Sequence, residues 1–200
     1  METDEIFAQM AQRYDAEERV HNAGIIAQQM RLALSDTQNK TALDYGCGTG
    51  LIGLALASLF GQMLLVDSSP QMIAVVENKI ADAGLANTRT LCANFCEHTP
   101  QGVSADYILV SQVLLHVPNY SLLLQQFFAL LNPGGHLLVV DFDKNENIVS
   151  DKVHNGFNQS QLQQLCLQVG FASASSQTFY HGKNMFMRQD ASLFILHATK

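Results

Sequence analysis

Between Asp44 and Gly50 the chain reads DYGCGTG, with three glycines on alternate positions. A short apolar run, TAL, precedes it, and a longer one, LIGLALASLF, follows. Glycine has no Cβ, so it accepts positive φ and lets a ligand approach the main chain, at a cost in order. A glycine turn leading from a strand into a helix usually holds a nucleotide. This stretch therefore asks for a strand before it, a helix after it and a ligand lying on bare backbone.

The rest of the chain supplies matching elements. Residues 3–34 read as a helix with a rough apolar stripe of Ile6, Met10, Tyr14, Val20, Ile25, Ile26, Met30 and Leu34, with 22–24 as a point of interruption. TALDY, QMLLVD, TRTLCANF, DYILVSQ and HLLVVDFD read as five strands. LIGLALASLF is a helix apolar enough to need cover on most sides. Ser69 and Pro70 start the next helix as N-cap and first helical residue, and Gly84 stops it. SLLLQQFFALL and NQSQLQQLCLQVG supply two more helices, the second ending at Gly170. Asn132-Pro133-Gly134-Gly135 reads as a chain-reversing turn and 144–156 as a polar loop. SASSQTFYH and SLFILHAT close the chain as two strands around a polar connection. Repeated strand–helix alternation before a hairpin specifies an α/β fold, a mainly parallel sheet with helices on both faces.

Composition narrows the function. Two hundred residues fit one domain with a full core. The formal net charge is −7, which argues against nucleic acid as the main partner, because phosphate binding needs a basic face. The acidic N-terminus is not a signal peptide. No charged residue lies between Asp44 and Asp67, a length that would span a membrane, but Gly53, Ser58, Gly61 and Gln62, beyond the turn itself, break it. It reads better as strand, turn, buried helix, turn and strand, with no membrane partner. Cys47, Cys92, Cys96 and Cys166 show no C-x-x-C spacing and no metal ligand set, so they read as reduced thiols of a cytoplasmic protein, a monomer or homodimer.

The dinucleotide fingerprint G-x-G-x-x-G is met in spacing from Gly48, where the chain reads GTGLIG, but counted from Gly46, the first glycine of the turn, it fails at Leu51. What stands instead is D-x-G-x-G-x-G followed by Asp67 at the end of the second strand, a carboxylate placed to accept both hydroxyls of a ribose.

Taken with VDSSPQM at 66–72, CANF at 92–95, DYILVSQVLLHV at 106–117 and LNPGGHLLVVD at 131–141, LDYGCGTG at 43–50 resembles the class I S-adenosylmethionine-dependent methyltransferases, and most closely their small-molecule branch. The likeness covers nearly the whole length. It implies a Rossmann-like three-layer sandwich, a seven-stranded mostly parallel sheet with an antiparallel last strand, as a single methyltransferase domain over 1–200. Residues 1–34 would form a helical lid. The cofactor implied is S-adenosyl-L-methionine. Gly46, Cys47, Gly48 and Gly50 would receive its methionine and ribose, Asp44 would face its ammonium, and Asp67 with Ser68 would hold the ribose. Met72 and the Phe95 backbone would meet the adenine. Asn94 stands where the family usually has Asp, and offers a carbonyl oxygen without charge. Ser111 and Gln112 would lie beside the methionine part, and Tyr14 would cover the cofactor. Each position also has an ordinary structural role open to it: Asp67 a strand-end acid or helix cap, Met72 a core residue, Asn94 a turn residue.

Methyl transfer is an in-line displacement that needs alignment and a dry site more than a dedicated base. The ionisable residues best placed to serve it are His116 after the fourth strand, Asp141 at the end of the fifth and His154 in the loop before the last helix. His116 also has a structural reading, bonded at a helix start, and His154 that of a solvated loop histidine. No [DN]-P-P-[YFW] run follows the fourth strand, which argues against amino-directed methylation of nucleic acid and leaves a small molecule, ahead of a protein side chain, as substrate. A non-catalytic cofactor-binding module acting through a protein partner is the alternative reading. A nicotinamide oxidoreductase is disfavoured by Leu51.

Overall fold

The computed structural model describes residues 15–97 and 100–200. Tyr14 and the first part of the expected lid lie outside the described residues. The described chain forms two compact units, one running to Asn94 and one from Phe95 onward.

In the first unit, α1 (Glu17–Leu32) is followed by β1 (Thr41–Tyr45), α2 (Leu51–Leu56), a 3-10 turn (Ala57–Leu59), β2 (Gln62–Asp67), α3 (Pro70–Ala83) and β3 (Thr88–Cys92). β2 pairs in parallel with both β1 and β3. The charge-free run between Asp44 and Asp67 is thus divided among β1, the glycine turn, α2 and β2. Among the described residues no helix is long and apolar enough to cross a membrane. α3 starts as expected: Ser69 Oγ accepts from the Met72 N–H at 3.3 Å, Pro70 is the first helical residue, and Gly84 closes the helix at φ 62°.

α1 departs from expectation in two ways. It runs through 22–24 without interruption. Its buried face is Ala23, Ile26, Ala27 and Met30, while Val20 is 45% exposed. That spacing is helical, but two of its four members are alanines, so a search for large apolar residues drew the stripe wrongly. Alanine suits the place because α1 packs against α2.

The second unit holds β4 (Ala105–Ser111), a 3-10 turn (Leu114–His116), α4 (Tyr120–Leu130), β5 (Leu131–Phe142), α5 (Gln159–Val169), β6 (Ser173–Phe186) and β7 (Gln189–Thr199). β4 and β5 are parallel, and β7 is antiparallel to both β5 and β6. The sheet order is β3-β2-β1-β4-β5-β7-β6. This is the seven-stranded, mostly parallel sheet with a reversed last strand that the resemblance implied.

Two connections differ from the sequence reading. Asn132-Pro133-Gly134-Gly135 is not a reversing turn. Leu131 already pairs with Ala105, residues 132–135 leave the ladder, and His136 rejoins it opposite Tyr107. The segment is a bulge inside β5, fastened where the Gly134 N–H donates to the Lys200 carbonyl at 3.2 Å and the Lys200 N–H to Gly135 at 2.9 Å. The closing hairpin is also longer than expected, because most of the polar connection is strand. Its tip is Met187 and Arg188, at φ 51° and 62°. Two successive positive φ values match the twist of a two-residue hairpin turn, but that turn usually carries Asn or Gly, so the sequence held no signal for it.

Candidate functional site

The glycine turn hangs from the end of β2. The N–H groups of Gly46 and Cys47 both donate to the Val66 carbonyl, at 2.8 and 3.0 Å. The Gly48 N–H donates to Asp67 Oδ2 at 2.9 Å, and the Ser69 N–H to Asp67 Oδ1 at 2.9 Å. Asp67 is therefore held by two backbone donors, one on the turn and one at the start of α3. It serves the ordinary strand-end role, and each carboxylate oxygen keeps a further lone pair. Gly48 has φ 56°, and a Cβ built there would meet nothing within 4 Å. The backbone at this point faces open space, the form of a cradle for a ligand lying on main chain.

Asp44 is buried at the end of β1. Burial pushes its carboxyl up to about 7, against the lowering effect of the Gly53 N–H and with a further push from Asp67. Its Oδ2 has no hydrogen-bond partner among the described residues. A buried, unpartnered carboxylate oxygen suits a cationic or N–H-bearing ligand group. Gly53, which the sequence reading did not single out, belongs to the same arrangement: a Cβ there would collide with that oxygen and with Leu65. The G-x-x-G spacing from Gly50 was the only local hint.

The other expected residues of this unit have more mixed surroundings. Asn94 lies two residues past β3, and its Oδ1 accepts from the Tyr45 hydroxyl at a long 3.4 Å. Met72 is buried on α3, the core position that the structural reading allowed. Cys47 is half-buried, and burial together with the Asp44 and Asp67 charges raises its thiol pKa, so it is a neutral lining group. Ser68 is exposed, and its carbonyl accepts from the Cys92 thiol at 3.8 Å.

In the second unit, Phe95 is buried. Ser111 ends β4 with its Oγ buried and unpartnered among the described residues. Gln112 follows at φ 53°, a left-handed conformation that a non-glycine residue rarely keeps. Its N–H donates to the Val140 carbonyl at 2.8 Å, which fixes the strained residue at the strand end.

The three candidate acid–base residues do not play equal parts. Asp141 has no exposure. Its Oδ2 accepts from the Leu115 N–H at 3.3 Å and its Oδ1 from the Phe142 N–H at 2.9 Å. Burial raises its pKa to about 7, with the N–H groups of Phe142, Leu115 and Leu114 pulling the other way. These bonds tie it to the 3-10 turn that carries His116. His116 is exposed on that turn, with its pKa lowered by partial burial, so it is neutral at pH 7 and able to take a proton. His154 is not a solvated loop residue. Its N–H donates to the Leu115 carbonyl at 2.9 Å and its Nε2 lies 3.0 Å from the Val117 carbonyl. Tyr120 stands edge-on to its ring at 5.3 Å. The 144–156 loop is thereby fastened to the turn after β4.

These residues fit S-adenosylmethionine: side-chain-free backbone at Gly48, a fixed ribose-type carboxylate at Asp67, and an orphaned acidic oxygen at Asp44 suited to its cationic part. A model of the methyltransferase domain matches residues 36–188. The chain is 27% identical over 161 residues to the ubiquinone/menaquinone biosynthesis C-methyltransferase UbiE of Cellvibrio japonicus, covering 77% of this chain and 65% of that protein. It is 29% identical over 105 residues to the demethylmenaquinone methyltransferase of Oceanobacillus iheyensis, covering 51% and 44%. The chain thus spans less than two thirds of the length of these relatives. Among solved structures, the fold is shared with Haemonchus contortus phosphoethanolamine N-methyltransferase 2 in complex with S-adenosyl-L-methionine (TM-score 0.71, 16% identity, 97% of this chain and 60% of that chain). It is shared also with Synechocystis magnesium protoporphyrin IX methyltransferase with bound SAH (TM-score 0.69, 14% identity, 90% and 82%). Because the family model covers well over half of its length, the chain belongs to the methyltransferase domain family.

Proposed function

We propose that this protein transfers a methyl group from S-adenosylmethionine to a small molecule. The observation that carries this reading is the buried Asp44 Oδ2, without a partner among the described residues, in β1 just before a glycine turn that helps to orient Asp67. When bound, S-adenosylmethionine supplies an electrophilic methyl on a positively charged sulfur. Asp67 would hold the ribose, Asp44 would neutralise the cationic amino-acid end, and Asn94 and Met72 would take the adenine. Alignment of reactants alone supplies roughly 7–11 kcal/mol in well-oriented reactions. Ser111 and Gln112 are assigned to the methionine part of the cofactor, and His116 to receiving a proton where the acceptor loses one. Asp141 and His154 act through the turn they hold.

The acceptor we favour is a hydroxylated aromatic ring of the quinone-precursor type, methylated at carbon, because the curated relatives named above carry that activity in their names. Among the described residues no disulfide joins Cys47, Cys92, Cys96 or Cys166, which supports a reducing, cytoplasmic setting. Calorimetry with S-adenosylhomocysteine tests the cofactor site. The parent should bind, and Asp67→Ala should bind roughly 100-fold more weakly, the loss of charge-assisted hydrogen bonds. Equal binding by the two proteins sinks the ribose assignment. Transfer of labelled methyl to a demethylated naphthoquinol, but not to amine acceptors, tests the substrate; the reverse preference overturns it.

A further inference from the structure

We propose that Asp15, Thr49 and Lys79 form a clasp that pins the glycine turn in its ligand-ready shape, with Asp15 and Lys79 as positioning residues for the cofactor. Its consequence for binding rests on the function proposed above; its consequence for the turn does not.

Thr49 is the one residue between Gly48 and Gly50, and it is buried at 5% exposure. Its hydroxyl donates to Asp15 Oδ1 at 2.6 Å. Its carbonyl accepts from Lys79 Nζ at 2.9 Å. Lys79 Nζ also donates to Asp15 Oδ2 at 2.7 Å. The three groups are mutually bonded, each carboxylate oxygen taking its own donor. They come from three places in the chain: just before α1, the turn itself, and α3.

The flanking residues explain why a clasp is needed. Gly48 and Gly50 sit at φ 56° and 81°, and glycine leaves both peptides free to turn. Asp67 fixes the Gly48 N–H, and the Cys47 carbonyl accepts from Gly50 at 2.9 Å. Neither bond holds the Thr49 peptide, whose carbonyl and side chain are taken by Lys79 and Asp15. An ion pair with side chains 31% and 20% exposed would by itself contribute little. This pair differs because a buried hydroxyl and a turn carbonyl complete it, and both lose partners if either charge is removed. The pairing also cancels the Lys79 charge, so the turn is pinned without adding a net cation to a site suited to a cationic ligand.

The test uses the full chain and the variants Lys79→Met, Asp15→Asn, Thr49→Val, Lys79→Arg and Lys79→Met with Asp15→Asn. Amide hydrogen exchange of Gly48 and Gly50 is read without ligand, and S-adenosylhomocysteine binding by calorimetry. Each of the first three substitutions should speed exchange at both amides and weaken binding about three- to fivefold, the scale of a partly exposed charged contact. The double variant should be no worse than Lys79→Met alone, and Lys79→Arg should stay near the parent. Unchanged exchange in Lys79→Met and Asp15→Asn, or losses that add in the double variant, overturns the clasp. Melting temperatures that fall while exchange at the turn stays at the parent rate also overturn it, as a merely structural contact. If the parent does not bind S-adenosylhomocysteine but the substitutions still speed exchange, the cofactor reading fails and the clasp stands.

Discussion

Asp44 and Asp141 occupy the same place in different strands, each the penultimate residue of β1 or β5. Both are buried, and burial lifts both to about 7. They differ in what the backbone offers them. Asp141 has an N–H on each oxygen, from Phe142 and Leu115. Asp44 has the Gly53 N–H, and its Oδ2 has no partner among the described residues. Equal desolvation thus yields a structural acid where donors come from the chain, and a receptive one where a donor is left to a ligand.

Substitution separates the two most sharply. Asp141→Asn turns an NH2 toward a backbone donor in a fully buried site, and should cost about 3 kcal/mol of stability by chemical denaturation. Asp44→Asn should do the opposite to the unliganded protein, raising stability by about 1 kcal/mol at pH 8 by removing a buried charge. The same variant should bind S-adenosylhomocysteine roughly 10- to 100-fold more weakly. If it binds as the parent does, the two acids play the same part and the comparison fails.

A pH series sharpens the contrast. A raised carboxylate pKa means that the folded state keeps a proton which the unfolded state loses. The resulting penalty is absent below pH 3.8, grows as pH rises toward 7, and is complete above it. A cationic ligand favours ionised Asp44, so affinity should fall about tenfold from pH 8 to pH 6, with proton release on binding. Calorimetry in buffers of different ionisation enthalpy reads that proton, and Asp44→Asn should abolish it. Asp141 should contribute nothing to it.

Smaller effects belong to the histidines. His154→Ala removes the ring contact to Val117 and should loosen the 144–156 loop by about 1 kcal/mol, seen as faster limited proteolysis there. His116→Ala, at an exposed position, should leave stability within about 0.5 kcal/mol. Any loss of methyl transfer in that variant then reports chemistry alone.

The glycine turn, Asp67, the cap at Ser69 and the reversed last strand were all legible in the chain. Each is encoded over short separations: glycine permits its own φ, and Ser69 caps a helix three residues long in reach. The mainly parallel sheet follows from the alternation of elements, whereas the strand order came from the structure. The bulge at 132–135 and the hairpin tip at 187–188 were misread or missed, because Asn-Pro-Gly-Gly suits several turns and Met-Arg announces none.

Local spacing therefore pointed to the fold the chain adopts and to the turn proposed for its ligand. It did not settle which acid stays unpartnered, which histidine is tied down, or what steadies the turn. Those depend on Leu115 reaching Asp141, on Val117 meeting His154, and on Asp15 and Lys79 closing over Thr49, contacts across 26, 37, 34 and 30 residues. Burial and hydrogen-bond supply are properties of the packed chain, and no residue carries them alone.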